Sequence, residues 1–248
     1  KRNKTISKRL WNDSGADQKA IMIEKLYTCP YCGAKFTKEK TLAVHMCEQK
    51  RRFLQKDERR VQLGYQTFVR FYELCQKTSK TKTYEEFCKS PYYTAFVKFG
   101  SFISNVKPLY PSKYIDYVVT SGVKLDHWCR EELYQKYAID LILREKVETA
   151  MERSIKTMMD WGDEKEANWS DYFRYASLNR AVMDIKDGKI SPWLILNCKS
   201  GKDMMKRFNN EQLQIVYPIM DPNHWALRFK RLPADIEMVK EITKEARI

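Results

Sequence analysis

At 248 residues the chain is long enough for one large domain, or for a small module attached to a larger one. Hydrophobic residues make up 43% of it and aromatics 13%, so a packed core is feasible, while eight glycines and eight prolines are too few for a loop-rich β-sandwich. The net charge of +14 is lopsided: residues 1–107 hold 23 Lys and Arg against 10 Asp and Glu, whereas residues 108–248 hold 23 against 22. A polyanion binder needs that asymmetry and a merely soluble protein does not; a solvated basic face, or a basic arm docking on an acidic protein, is the alternative.

Residues 1–26 read as a polar, basic arm with no strong period. No window approaches the roughly 18 consecutive apolar residues of a membrane span, and the first thirty residues lack the apolar run of a signal peptide. The chain begins at Lys1 rather than Met, as expected where further sequence lies upstream. Seven cysteines, an odd number with some at metal-binding spacing, point to a reducing compartment rather than a disulfide framework. The expected location is therefore intracellular, in cytoplasm or alongside the genome.

The segment Tyr27-Thr28-Cys29-Pro30-Tyr31-Cys32-Gly33-Ala34-Lys35-Phe36 leads into a helical stretch ending at His45-Met46-Cys47. Cys-Pro-x-Cys-Gly makes a tight knuckle that aims two thiolates at one centre, and Gly33 permits the backbone turn that follows. A hairpin and one helix cannot bury enough apolar surface alone, so metal binding would supply the missing folding energy. The fourth ligand is less direct. Two residues apart on an ideal helix, His45 and Cys47 point about 200° away from each other. Either the helix distorts after His45 so that Cys47 swings round, or Glu48, Gln49, Cys75 or Cys88 completes the site; Cys47 is the expected ligand.

The pattern Cys29-x2-Cys32-x3-Phe36-x5-Leu42-x2-His45 resembles the zinc finger with two cysteine and two histidine ligands, and its cysteine-ending variants. The resemblance covers residues 27–47 only. It implies a β-hairpin packed on one helix around a single structural Zn²⁺ held by Cys29, Cys32, His45 and Cys47. The short His-x-Cys ending departs from the family's usual spacing. The resemblance also places the base-reading positions at Lys38, Lys40, Thr41 and Val44. One finger reads only about three base pairs, so Lys38 and Lys40 are expected to contact phosphates. The segments CPYCGAKF, HMCEQKRR and SPWLILNC are similar to zinc-finger proteins of unassigned role in large tailed-phage genomes, a resemblance that brings no activity with it.

Residues 48–78 read as a long basic helix. Leu54, Val61, Tyr65, Phe68, Tyr72 and Cys75 recur at helical steps, and Arg52, Lys56 and Arg59, four and three apart, fall on one face. Lys50, Arg51, Arg52, Lys56, Arg59 and Arg60 are the candidate phosphate contacts. Asp57 and Glu58 compete for them, since a solvated face with internal ion pairs has the same composition.

Residues 79–248 read as an all-helical domain. Thr83-Tyr84-Glu85-Glu86 is a capping box, Ser90-Pro91 and Asp221-Pro222 each place a cap before a proline, and Gly122 and Gly188 fit helix ends. Helices are expected near 84–89, 91–105, 112–121, 127–160, 170–187, 192–198, 211–217, 222–231 and 234–246. The aromatics between Phe68 and Phe102 fit a core better than stacking platforms for single strands. Ser112–Tyr134 has the outline of a helix-turn-helix, though its near-neutral charge favours two packed helices.

The fold expected is mainly α: a small hairpin-plus-helix zinc finger followed by a multi-helix domain. The function expected is nucleic-acid binding through phosphates, DNA ahead of RNA, with the helical domain as scaffold or docking surface for a protein machine. No membrane and no small-molecule substrate is inferred. One rival is a structural or interaction protein, for instance in phage assembly or as an accessory factor in transcription or replication, whose finger only staples the fold. The other is a metal-dependent nuclease. No catalytic residues are assigned: His127 and His224 are lone histidines, and Asp140, Glu145 and Glu148 have the spacing of any solvated helix.

Overall fold

The computed structural model of the protein describes residues 26–76 and 80–248, so the basic arm lies, except for Leu26, outside the described residues. The chain divides into two units between Arg52 and Phe53. In the first, strand β1 (Tyr27–Thr28) pairs antiparallel with β2 (Lys35–Phe36), setting Tyr27 opposite Phe36 and Thr28 opposite Lys35. Helix α1 (Glu39–Val44) follows, and after three intervening residues comes α2 (Glu48–Leu54), within which the boundary between the units falls. Neither short helix contains a buried residue.

After the end of α2, the second unit continues with α3 (Arg59–Gln76), α4 (Tyr84–Lys89), α5 (Tyr93–Val106), α6 (Pro111–Thr120), a 3₁₀ turn (Leu125–His127) and α7 (Glu131–Arg144). These enclose an aromatic core in which Phe68, Phe87, Phe96, Phe99, Tyr114 and Trp128 are buried. Burying Trp128 leaves its indole N–H needing an acceptor, and the Val123 carbonyl oxygen accepts it at 2.8 Å. Next come α8 (Val147–Lys165), a 3₁₀ turn (Trp169–Asp171), α9 (Tyr172–Tyr175), α10 (Leu178–Lys186), α11 (Pro192–Ile195), α12 (Lys199–Met205), α13 (Asn210–Met220), α14 (Pro222–Arg231) and α15 (Pro233–Glu245). They surround a second core built on Trp161, Tyr172, Phe173, Trp193 and Trp225.

The architecture is mainly α with one small hairpin, as the composition requires. Local signals place several helix ends. Thr83 and Glu86 form the reciprocal capping box of α4, Asp221 caps α14 with Pro222 at its first position, and Gly122 and Gly188 take φ of +72° and +71° just past α6 and α10. After Ser90-Pro91, however, the helix starts only at Tyr93, because the Ser90 hydroxyl accepts from the Tyr92 amide and closes a turn first.

Three helices read from the sequence are broken; one of them, 170–187, parts at Ala176-Ser177, which take extended backbone so that the Ser177 hydroxyl can cap α10 through the Arg180 amide. Another was read at 48–78. The described part of this stretch, residues 48–76, holds two helices, with residues 55–58 in turns closed by the Lys56 amide to the Phe53 carbonyl (3.3 Å) and the Glu58 amide to the Gln55 carbonyl (3.0 Å). Lys56 therefore lies in a turn, and Arg52, Lys56 and Arg59 do not share one helical face. Val61 and Phe68 are buried as expected, whereas Leu54 and Cys75 are exposed.

The third break divides 127–160 at Glu145-Lys146, which take extended backbone. Tertiary groups satisfy what the broken helix leaves over: the Arg228 guanidinium donates to the carbonyls of Leu143 and Glu145. The Glu145 carboxylate is buried against Arg153 and accepts from the Ser191 hydroxyl at 2.7 Å. Helix α12 carries no signal that sequence periodicity registered. Its cap is a sulfur: Cys198 Sγ accepts from the Gly201 amide at 3.3 Å. In the segment outlined as a helix-turn-helix, α6 buries Tyr114, Ile115, Val118 and Val119, and α7 opens with Glu131 and Glu132, the wrong sign for a phosphate backbone.

Candidate metal centre

The centre is built from three turns of backbone. In the first, the Gly33 amide donates to the Cys29 carbonyl at 2.9 Å and the Cys29 amide to the Ala34 carbonyl at 2.8 Å, closing the knuckle that leads into β2. Gly33 has φ +75°, a conformation that strains any residue with a Cβ, although nothing lies within 4 Å of where one would be. Backbone conformation, not space, is what demands glycine there.

The second turn ends α1. His45 leaves the helix with φ −67° and ψ 120°, its amide still bonded to the Leu42 carbonyl at 3.1 Å. Its ring rests 4.8 Å from that of Phe36 on β2, tilted by 50°. In the third turn Met46 alone separates His45 from Cys47, which stands immediately before the first residue of α2. Because the helix has ended, the 200° problem of an intact helix does not arise. Cys47 comes round to the centre by this distortion after His45 and joins Cys29, Cys32 and His45 in one cluster.

One ligand atom from each of Cys29, Cys32, His45 and Cys47 lies within 4.8 Å of all the others. Cys29 Sγ is 4.0 Å from Cys47 Sγ, and Cys32 Sγ is 3.3 Å from His45 Nε2. A tetrahedral ion with metal–sulfur bonds of about 2.3 Å and metal–nitrogen bonds of about 2.0 Å requires edges of roughly 3.8 Å and 3.5 Å. The cluster fits one such ion. Among the described residues no other group of three or more His, Cys, Asp or Glu converges in this way.

The surrounding amides favour negative sulfur. The Cys32 amide, with help from that of Tyr31, holds the Cys29 thiol below the ordinary thiol range in spite of its burial. The Ala34 amide acts on Cys32 in the same direction, but desolvation and the neighbouring thiols of Cys29 and Cys47 push Cys32 upward overall. Thiols so close together cannot all ionise easily without a cation among them. The Lys50 amide donates to Cys47 Sγ at 3.3 Å, and Lys50 Nζ donates to the His45 carbonyl at 3.2 Å. Lys50, expected only at phosphates, thus also braces the turn between the two helices. A lysine three residues beyond a ligating cysteine was the available signal.

The other basic candidates fall into two groups. Lys38, which precedes α1, and Lys40 on α1 are exposed, as are Arg59 at the start of α3 and Lys56 in the turn before it, its ammonium 5.8 Å from the centre of the Phe53 ring. Arg51, Arg52 and Arg60 are engaged with carboxylates. Glu48 Oε1 accepts from Arg52 at 2.8 Å and Glu48 Oε2 lies 3.7 Å from Arg51, while Glu58 accepts from Arg60 at 2.7 Å. The internal pairing foreseen for Glu58 is present.

Among the described residues no helix is long and apolar enough to cross a membrane. Comparison with known protein families, with curated proteins and with solved structures yields no match. What stands on this chain's own geometry is a site of three cysteines and one histidine, able to hold one metal ion at the end of a β-hairpin and helix.

Proposed function

We propose that Cys29, Cys32, His45 and Cys47 hold one structural Zn²⁺, and that the surrounding basic region binds nucleic acid through its phosphates. Three thiolates and an imidazole are the donor set of closed zinc sites, which leave no position for a reacting water. The observation that carries the reading is the company this centre keeps: Lys38, Lys40 and Arg51 are all exposed within about ten residues of a ligand. DNA is placed ahead of RNA, and the second unit serves as a scaffold or docking surface. Exposed ion pairs such as Glu48–Arg51 and Glu58–Arg60 are worth little in water, so a phosphate can displace the carboxylate without large loss.

A second reading is an interaction protein whose centre only staples the fold. The same ion pairs favour it, since they already give Arg51, Arg52 and Arg60 acidic partners. Binding of the purified zinc-loaded chain to duplex and single-stranded oligonucleotides across a salt series separates the two. Phosphate contact makes affinity fall steeply with salt, and charge reversal at Lys38, Lys40, Arg51 and Arg59 weakens it uniformly across sequences. Salt-independent affinity, or none, leaves the interaction protein. Cleavage that stops on removing Mg²⁺ would instead revive the nuclease.

A further inference from the structure

Helix α2 is seven residues, about 10 Å long, and none of its residues is fully buried, the Arg52 side chain being the most covered of its paired cations at 17% exposed. An isolated helix of that length is unstable in water, because nucleation is costly and few hydrogen bonds repay it. Its first-turn amides have no partner within the helix, and Cys47 serves one of them: the Lys50 amide donates to Cys47 Sγ at 3.3 Å, while the first bond of the helix itself runs from the Arg51 amide to the Cys47 carbonyl at 3.0 Å. Cys47 occupies the cap position, with its side chain bonded to the third amide of the helix, where serine or aspartate usually sits. The same sulfur stands 4.0 Å from Cys29 Sγ in the four-ligand cluster.

We propose that Cys47 is at once a metal ligand and the N-cap of α2, so that metal occupancy decides whether Lys50, Arg51 and Arg52 are presented on a helix. Two parts of this rest on geometry within the first unit. A bound ion fixes the sulfur where the Lys50 amide reaches it, and the brace from Lys50 Nζ to the His45 carbonyl (3.2 Å) requires the same turn. Without the ion, only the single residue Met46, 56% exposed, joins His45 to Cys47, and the start of α2 is unanchored. Metal control therefore extends beyond the hairpin and α1 into the basic helix. Its consequence for affinity rests on the nucleic-acid reading above: zinc and polyanion strengthen each other's binding by the same factor.

The fold supplies a control. In α12 the Cys198 sulfur caps the Gly201 amide at the same 3.3 Å, but Cys198 is buried and belongs to no ligand cluster. The test follows Cα chemical shifts and amide exchange of the whole chain, zinc-loaded and after chelation. Shifts at residues 48–52 are expected to move from helical toward random-coil values on chelation, and the Lys50 and Arg51 amides to lose protection, with α12 unchanged. In Cys47→Ser the hydroxyl keeps the cap but ligates poorly. Zinc affinity is expected to fall at least about tenfold, with the shifts at 48–52 no longer responding to zinc. Wild-type shifts at 48–52 that are the same with and without zinc would overturn the proposal. A zinc response at 48–52 in a chain that binds no oligonucleotide supports the coupling and sinks only the nucleic-acid reading.

Discussion

Gly100 on α5 meets Gly64 on α3 where the two helices cross: a Cβ built on Gly100 would lie 2.7 Å from the Gly64 amide nitrogen and 2.0 Å from the Arg60 carbonyl oxygen. A Cβ on Gly64 would in turn come within 2.8 Å of the Phe96 carbonyl oxygen. The obstructing atoms are backbone, so no side chain can turn aside to make room. The crossing pins the first turn of α3, from which Arg59 and Arg60 project.

Gly100→Ala tests that contact. Alanine gains about 1 kcal/mol in helix propensity, but the overlap forces the helices apart, and overpacking typically costs about 1–3 kcal/mol or more. A net loss of stability is expected in urea unfolding, with Gly64→Ala behaving alike. Gly122→Ala, with open space around it and φ +72°, should lose only about 1–2 kcal/mol through backbone strain. An unchanged unfolding midpoint for Gly100→Ala would show that the close crossing is not there.

The Glu145–Arg153 pair is buried on both sides, with side chains 4% and 12% exposed and a 2.6 Å Oε2 to Nη1 contact. Removing one partner strands the other charge. Arg153→Met is expected to cost about 3–5 kcal/mol, and Arg153→Met combined with Glu145→Gln to cost less than the single change. Chemical denaturation of the two variants measures this. A single-variant loss under about 1 kcal/mol would mean that the pair is not desolvated.

The cap of α4 predicts a pH dependence. The Thr83 amide, followed by the Lys82 ammonium, holds the Glu86 carboxyl down to about 2, below its ordinary 4.5. A depressed carboxyl stabilises the fold fully above its unfolded value and loses that contribution as pH falls toward the folded one. The gap in unfolding midpoint between the wild type and Glu86→Gln should therefore be open at pH 6 and close between about pH 4.5 and pH 2. Thr83→Ala, which removes the other half of the box, should cost about 1 kcal/mol at either pH. A gap that widens on acidification would contradict the assigned cause.

At the centre, one metal per chain is expected, lost on acidification because the cysteines and His45 must shed protons to ligate. Co²⁺ substitution should give the sulfur-to-metal absorption of a tetrahedral thiolate site, weakened by replacing any of Cys29, Cys32, His45 or Cys47 and untouched by Cys75→Ser or Cys88→Ser. Full loading of Cys47→Ala with an unaltered spectrum would return the fourth position to another group.

The exposed and the paired cations should differ in salt dependence. Neutralising Lys40 or Arg59, both exposed, is expected to lower the slope of log affinity against log salt by about 1 each. Arg52, with a side chain 17% exposed and held by Glu48, should change the slope far less. Equal effects at Arg59 and Arg52 would mean that the pairing of Arg52 with Glu48 gives way on binding.

Much of the candidate site was legible in order of residues because its parts are local. The knuckle of Cys29 to Gly33, the core positions Phe36 and Leu42 and the ligand His45 all lie within one hairpin and one helix, where spacing along the chain translates directly into geometry. The same holds for the caps at Thr83 and Asp221 and for the turns at Gly122 and Gly188. Each depends on a side chain and an amide two or three residues away, or on the backbone freedom of a single glycine. The helical class followed from composition.

What tertiary structure alone decided are the interruptions. Periodicity counts apolar residues and continues through any stretch that keeps the period, so 48–78, 127–160 and 170–187 each read as one helix. Breaking a helix leaves carbonyls and amides over, and the groups that satisfy them come from elsewhere: Arg228, eighty-odd residues beyond Leu143 and Glu145, in one case. In another, the end of α1 at His45 lets Cys47 serve both the ligand cluster and the amides of α2. Whether such a partner arrives is a property of packing, to which local spacing is blind.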